Sequence, residues 1–151
     1  MKVAVTAPNA GWIRYLEDTE LTLTKERQSY AFDFTVTAEN DPTGRLEFNM
    51  GKTDSTAMIS ISNVRLEMIA EGSGSAGGKT VLSDGNYVYN ANFQEGAGRV
   101  GNWEFTENDA VTYEVTPLSD GRRLHVNVTK DLDTPFCVIQ KDLALTEGSE
   151  Y

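Results

Sequence analysis

The chain has one cysteine, Cys137, and one histidine, His125, among its 151 residues. A lone cysteine excludes an internal disulfide and any cysteine-based metal cluster. The lone histidine lies between Leu124 and Val126 on an alternating stretch, so it reads as a surface residue rather than a general base. No segment carries a sustained 3.6-residue apolar stripe, which excludes a helical bundle. No apolar run approaches the roughly 20 residues of a membrane-crossing helix. Met1 leads directly into the strand-like run Lys2-Val3-Ala4-Val5, with no signal-peptide pattern. Positive charge is scarce as well. Lys and Arg number 13 against 23 Asp and Glu, a formal net charge of −10, which repels nucleic acid and anionic membranes. The acidic residues are scattered rather than blocked, which reads as a solubility feature.

Catalytic motifs are missing too. There is no Gly-x-Ser-x-Gly elbow, no His-Glu-x-x-His pair and no phosphate-binding loop. Glycoside hydrolysis needs only two carboxylates. Among 23 acidic residues some pair always looks plausible, so that signal has no weight. The chain is expected not to be an enzyme.

What is present is period-two alternation. Tyr30, Phe32, Phe34 and Val36 alternate with Ala31, Asp33 and Thr35, and Leu46, Phe48 and Met50 alternate with Arg45, Glu47 and Asn49. Val3/Val5, Ile59/Ile61, Val111/Tyr113/Val115 and Leu124/Val126/Val128 continue the pattern. Turn signals separate them at Asn40-Asp41-Pro42-Thr43-Gly44 and at Ser119-Asp120-Gly121, the second placed as a tight hairpin requires. Short strands at close spacing predict an all-β, antiparallel β-sandwich or barrel. The length suits one domain with its own core. Within it, 71–79 is a Gly/Ser-rich linker between two segments, 1–70 and 80–151, each small for a sandwich of its own. One domain with a linker through its middle is the simplest organisation.

Residues 21–68 resemble the second half of the carbohydrate-binding modules of family 4 and the related families 9 and 22. The resemblance is carried by Leu21-Thr22-Leu23-Thr24, Tyr30-Ala31-Phe32-Asp33-Phe34-Thr35, Gly44-Arg45-Leu46-Glu47-Phe48-Asn49-Met50-Gly51 and Ile59-Ser60-Ile61-Ser62-Asn63-Val64-Arg65-Leu66. Residues 86–151 resemble the first half, through Asn90-Ala91-Asn92-Phe93-Gln94-Glu95-Gly96, Asn102-Trp103 and Leu143 to Tyr151. Single motifs are weak, but seven in consistent order are fairly specific. The halves stand in reversed order, so the resemblance implies a circularly permuted jelly-roll sandwich. It also implies that the strand between Tyr151 and Lys2 is absent. The linker composition fits engineering, and a natural fragment cut across two adjacent modules would look the same. The resemblance implies a secreted or extracellular parent whose signal lies outside this sequence.

The same resemblance assigns residues. Arg45, Glu47 and Asn49 share one face of their strand, and the family's glycan cleft is lined from that face. Arg and Asn present hydrogen-bond donors in fixed planes, as sugar hydroxyls require. Trp12, in the turn-like Pro8-Asn9-Ala10-Gly11-Trp12, reads either as a stacking platform or as a plug at the end of the sandwich. Asn9 is its polar partner and Tyr15 the alternate aromatic. Gln140 and Lys141 fall in the segment facing the cleft. Trp103 matches the family's core tryptophan, and Phe105 is a weaker ligand candidate. A structural calcium in that family uses oxygens near Asn92, although Ser62 stands where an aspartate would be expected. No cofactor is required.

The function expected is non-catalytic binding of a polysaccharide or oligosaccharide: β-glucan, cello-oligosaccharide or xylan. The alternative is an engineered strand-acceptor or self-assembling scaffold derived from such a module. Its partner would be an added peptide strand, or a second copy in a homodimer formed by strand exchange.

Overall fold

The computed structural model describes residues 1–51, 56–72 and 77–151. Eight strands make up the described fold: β1 (Lys2–Ala7), β2 (Ile13–Glu20), β3 (Asp41–Asn49), β4 (Ala57–Ile61), β5 (Glu104–Phe105), β6 (Val111–Leu118), β7 (Gly121–Val128) and β8 (Cys137–Leu145). They pair antiparallel in two sheets, β2-β1-β3-β8-β5 and β4-β7-β6. The chain is therefore an all-β antiparallel sandwich, as the alternation predicts.

The inward residues of each strand explain the pairing. Leu124, Val126 and Val128 on β7 are fully buried, as are Val138, Leu143 and Leu145 on β8. A one-residue slip would turn each of these sets to solvent, which fixes the register. Trp103 is buried and stacks on Phe93 with ring centroids 5.3 Å apart, in the core position expected of it. The β6–β7 hairpin closes through Ser119-Asp120, with Leu118 opposite Gly121. Gly121 lies at φ +146°, a backbone that side chains rarely tolerate.

Two expectations change. The run Tyr30–Val36 does not form a strand: only Phe34 and Val36 are buried, whereas Tyr30 is 43% and Phe32 36% exposed. β2 has no clean alternation, and it forms because the loop after β1 returns the chain alongside it. The expected turn at Asn40–Gly44 is instead the entry to β3. Asp41 accepts hydrogen bonds from the Thr43 N–H at 2.8 Å and hydroxyl at 2.7 Å, so the turn-forming contact kinks a strand already paired with β8.

The expected linker at 71–79 falls partly on residues 73–76, which lie outside the described residues. On its near side the Gly72 N–H donates to Ser149 Oγ at 2.8 Å, and on its far side Lys79 pairs in parallel with Leu143.

Candidate functional site

Strand register defines one polar face. Across β1 and β3, Thr6 opposes Arg45, Ala4 opposes Glu47 and Lys2 opposes Asn49. Across β3 and β8, Glu47 opposes Ile139 and Asn49 opposes Cys137, and β5 adds Glu104 opposite Ile139. Arg14 of β2 opposes Thr6. Opposed residues project on the same side of a sheet, so these side chains share one surface. Its centre has small residues, Ala4 and Thr6, which leaves the longer groups of β3 recessed. The Arg45 and Glu47 side chains are only 16% and 18% exposed.

Glu47 organises the recess. It pairs with Arg45, accepts from Asn49 Nδ2 at 3.3 Å and receives the Cys137 thiol at 3.4 Å. Asn49 is held in turn by the Gly51 N–H, 2.7 Å from its Oδ1. The three predicted strand residues therefore form one fixed network. Two polar atoms on this face, Thr6 Oγ1 and Arg45 Nε, are buried without a partner among the described residues. Unpaired buried polar atoms each cost about 1–3 kcal/mol, so they are expected to acquire a partner when the face is used.

Trp12 stands at the Thr6–Arg45 end. It follows a 3₁₀ turn, Pro8–Ala10, which closes the β1–β2 connection. Gly11 and Trp12 both lie in the left-handed region, at φ +71° and +62°. The Trp12 N–H bonds the Ala7 carbonyl at 3.0 Å and holds that conformation. A left-handed non-glycine residue costs about 1–2 kcal/mol. Here that cost presents an indole 59% exposed, with the Arg45 guanidinium 5.5 Å from its ring centroid. Asn9 is exposed on the same turn.

The remaining assignments divide. Lys141 is exposed and paired with Glu104 at the β8–β5 side of the face. Tyr15 is not available as a stacking residue. It is adjacent to Arg14 and so points to the opposite side of β2, where it is buried. Burial and then the charge of Asp41 push its hydroxyl pKa up. Gln140 is also not on the polar face. It opposes Leu46 on the core side, is 0% exposed, and clasps the Tyr89 peptide group, donating to its carbonyl at 2.8 Å and accepting its N–H. Thr6, Ala4, Glu104 and Cys137 were missed by sequence reading, although the alternation Lys2, Ala4, Thr6 was there to find. Phe105 turns the other way and stacks on Tyr113 with centroids 3.9 Å apart. His125 is half-buried on the outer side of the smaller sheet, 3.5 Å from Ser60 Oγ.

Cys137 lies on the floor of the recess. Burial first, and then the neighbouring Glu47 charge, push its thiol up from 9.0 to about 12. The thiolate is the nucleophile, so native protein at pH 8 is expected to react with iodoacetamide far more slowly than urea-unfolded protein. Equal rates would contradict the burial. The sign for stability follows: between pH 9 and about 12 the unfolded thiol ionises while the folded one does not, so this group favours unfolding as pH rises through that window.

The calcium expectation concerns the loop around Asn92. Asn92 is exposed, and among the described residues no three His, Cys, Asp or Glu side chains gather. The carbonyl oxygens of Glu95, Arg99 and Gly101 do converge, but on the side-chain amide of Asn90, at 3.3, 3.0 and 2.8 Å. An amide N–H₂ therefore satisfies the oxygens that a hard cation would need. Removing metal with EDTA is expected to leave the melting temperature unchanged, and a drop would show that a cation holds this loop.

No family model matches this chain, and no curated protein or solved structure matches it significantly.

Proposed function

We propose that this chain is a non-catalytic carbohydrate-binding sandwich that holds a β-glucan or xylan chain on the polar face of its larger sheet. The observation that carries the reading is the meeting of Trp12 with Arg45 and Thr6. An exposed indole offers a flat apolar surface to the C–H face of a pyranose. Beside it, Arg45 Nε and Thr6 Oγ1 are polar atoms without partners among the described residues, suited to sugar hydroxyls. The Glu47 network keeps Arg45 and Asn49 fixed before a ligand arrives, which lowers the ordering cost of binding. Lys141 and Glu104 would bound the face on the far side.

The reversed-order family resemblance supports the same reading, since its glycan cleft is assigned to the face that Arg45, Glu47 and Asn49 occupy here. Glu47, the acid at the centre of this face, is committed to Arg45, Asn49 and Cys137. The partner proposed is a neutral polysaccharide or cello-oligosaccharide, consistent with a net charge of −10 that disfavours nucleic acid. Affinity electrophoresis in gels containing laminarin, barley β-glucan or xylan tests the proposal. Retardation in at least one is expected, and unretarded migration in all three would remove it.

A further inference from the structure

Tyr113 is exposed where its register would bury it. On β6 it opposes Val126, while its neighbours Val111 and Val115 oppose Val128 and Leu124, and all three of these β7 residues are fully buried. Opposed residues share one side of a sheet, so Tyr113 faces the inside of the sandwich. It is nevertheless 43% exposed. The cause is its place at an edge: β6 ends the smaller sheet, and β5, which ends the larger one, has only two residues. Beside Tyr113 the turn Ala97–Arg99 leaves a cavity of about 360 Å³. Gly98, Arg99 and Val100 line one wall, and Tyr113, Glu114 and Val115 line the other.

Both walls are held in place by the rest of the protein. Phe105 stacks on Tyr113 with centroids 3.9 Å apart and planes 11° from parallel, and Phe105 in turn stacks on the buried Phe136 at 6.3 Å. One face of the tyrosine ring is thus backed by the core, and its exposure belongs to the other face and the hydroxyl edge. On the opposite wall Gly98 and Arg99 both take left-handed backbone, at φ +59° and +64°. The Arg99 N–H bonds the Gly96 carbonyl at 3.0 Å, and Asn90 Nδ2 donates to the Arg99 and Gly101 carbonyls. The turn is therefore fixed while the Arg99 side chain is exposed. Among the described residues its guanidinium has one long hydrogen bond, to the Gln94 carbonyl at 3.4 Å.

We propose that this cavity is a second, smaller ligand site, which takes one or two rings of a neutral hydroxylated compound, a mono- or disaccharide in size and chemistry. Its volume falls at the low end of the roughly 300–1,000 Å³ of ligand sites, enough for a short ligand and not for a polymer laid across a sheet. The free face of Tyr113 suits the C–H side of a saturated ring, with Val100 and Val115 as apolar flanks. Arg99 offers only donors and the Glu114 carboxylate only acceptors, whereas a hydroxyl is both. An anionic ligand would meet Glu114, a cationic one would meet Arg99, and a hydrocarbon would leave both without partners. The cavity shares no residue with the polar face of Trp12 and Arg45, so the two sites stand or fall separately.

The test is amide NMR of the whole chain titrated with xylobiose and with cellobiose, using benzoate as the charged control. Saturable shifts are expected at Arg99, Val100, Glu114 and Val115, with a dissociation constant of about 1 mM, and Trp12→Ala should leave that constant within about twofold. Arg99→Gly relieves the left-handed backbone, so this variant should melt no lower than the parent while binding about tenfold more weakly at the cavity. Tyr113→Leu keeps apolar cover but loses the flat ring, and should weaken the same shifts about tenfold. Shifts confined to the polar face would overturn the second site and leave the proposed function standing. Cavity shifts that survive both Arg99→Gly and Tyr113→Leu unchanged would overturn it as well, and a response there to benzoate but to neither sugar would overturn the neutral ligand.

Discussion

Trp12→Ala is expected to abolish retardation in every polysaccharide gel that retards the parent protein, with a loss of affinity of about thirtyfold or more. Exposed aromatics that anchor a ligand commonly account for about 2 kcal/mol or more on truncation, which is that factor. Because the indole is 59% exposed and supports no core, its removal should leave the melting temperature nearly unchanged. Trp12→Gly makes the test sharper. Glycine relieves the left-handed backbone at φ +62°, so this variant should be as stable as the parent or more so while still failing to bind. Separation of binding from stability is the result that supports a ligand platform. A variant that loses both would show the tryptophan to be a plug for the loop, and one that loses neither would move the ligand away from this end of the face.

The largest expected effect on stability belongs to Asn90. Its side chain closes the loop that follows it from both ends: Oδ1 accepts the N–H groups of Gln94 and Glu95 at 2.6 and 3.0 Å, while Nδ2 donates to the three carbonyls of Glu95, Arg99 and Gly101. Its own carbonyl takes the Trp103 indole N–H at 3.1 Å, which ties the loop to the core. Asn90→Ala removes all the side-chain bonds at once and leaves an alanine at φ +51°, so a loss of about 3–5 kcal/mol is expected. For a chain of this length, that lowers the melting temperature by roughly 10 °C, measurable by calorimetry. Asn90→Asp should be at least as damaging at neutral pH, because it sets a carboxylate against three carbonyl oxygens. A change of less than 1 kcal/mol in both variants would show that the loop is held by other means.

The sandwich was legible because alternation is a local property. Leu124, Val126 and Val128 announce which way β7 faces, and Ser119-Asp120-Gly121 announces where it turns. The strand face of Arg45, Glu47 and Asn49 was legible for the same reason. Gln140 and Tyr15 were not, because a segment's facing depends on its partner's register. The pairing of Leu46 with Gln140 puts that amide in the core, and no feature within Cys137-Val138-Ile139-Gln140 specifies it. The segment Tyr30–Val36 shows the opposite failure. Its pattern is that of a strand, but a pattern states only what a segment could bury, and beyond Phe34 no neighbouring strand covers it. The role of Asn90 was hidden because one side chain bonds groups spread over eleven residues of loop.

The pairing of β3 with β8 also determines how fast the polar face can come into existence. Glu47 and Cys137, neighbours on its floor, are 90 residues apart in sequence. The hairpins β1–β2 and β6–β7 join segments close along the chain and can form early. The strip that unites Thr6, Arg45 and Lys141 must wait for a long loop to close, which places folding in the slower range of roughly milliseconds to seconds. Pulse-labelled amides of β7 should therefore gain protection before those of β8. For part of its folding time the molecule has hairpins and a hydrophobic interior in the making, but not yet the surface that the proposed ligand would need.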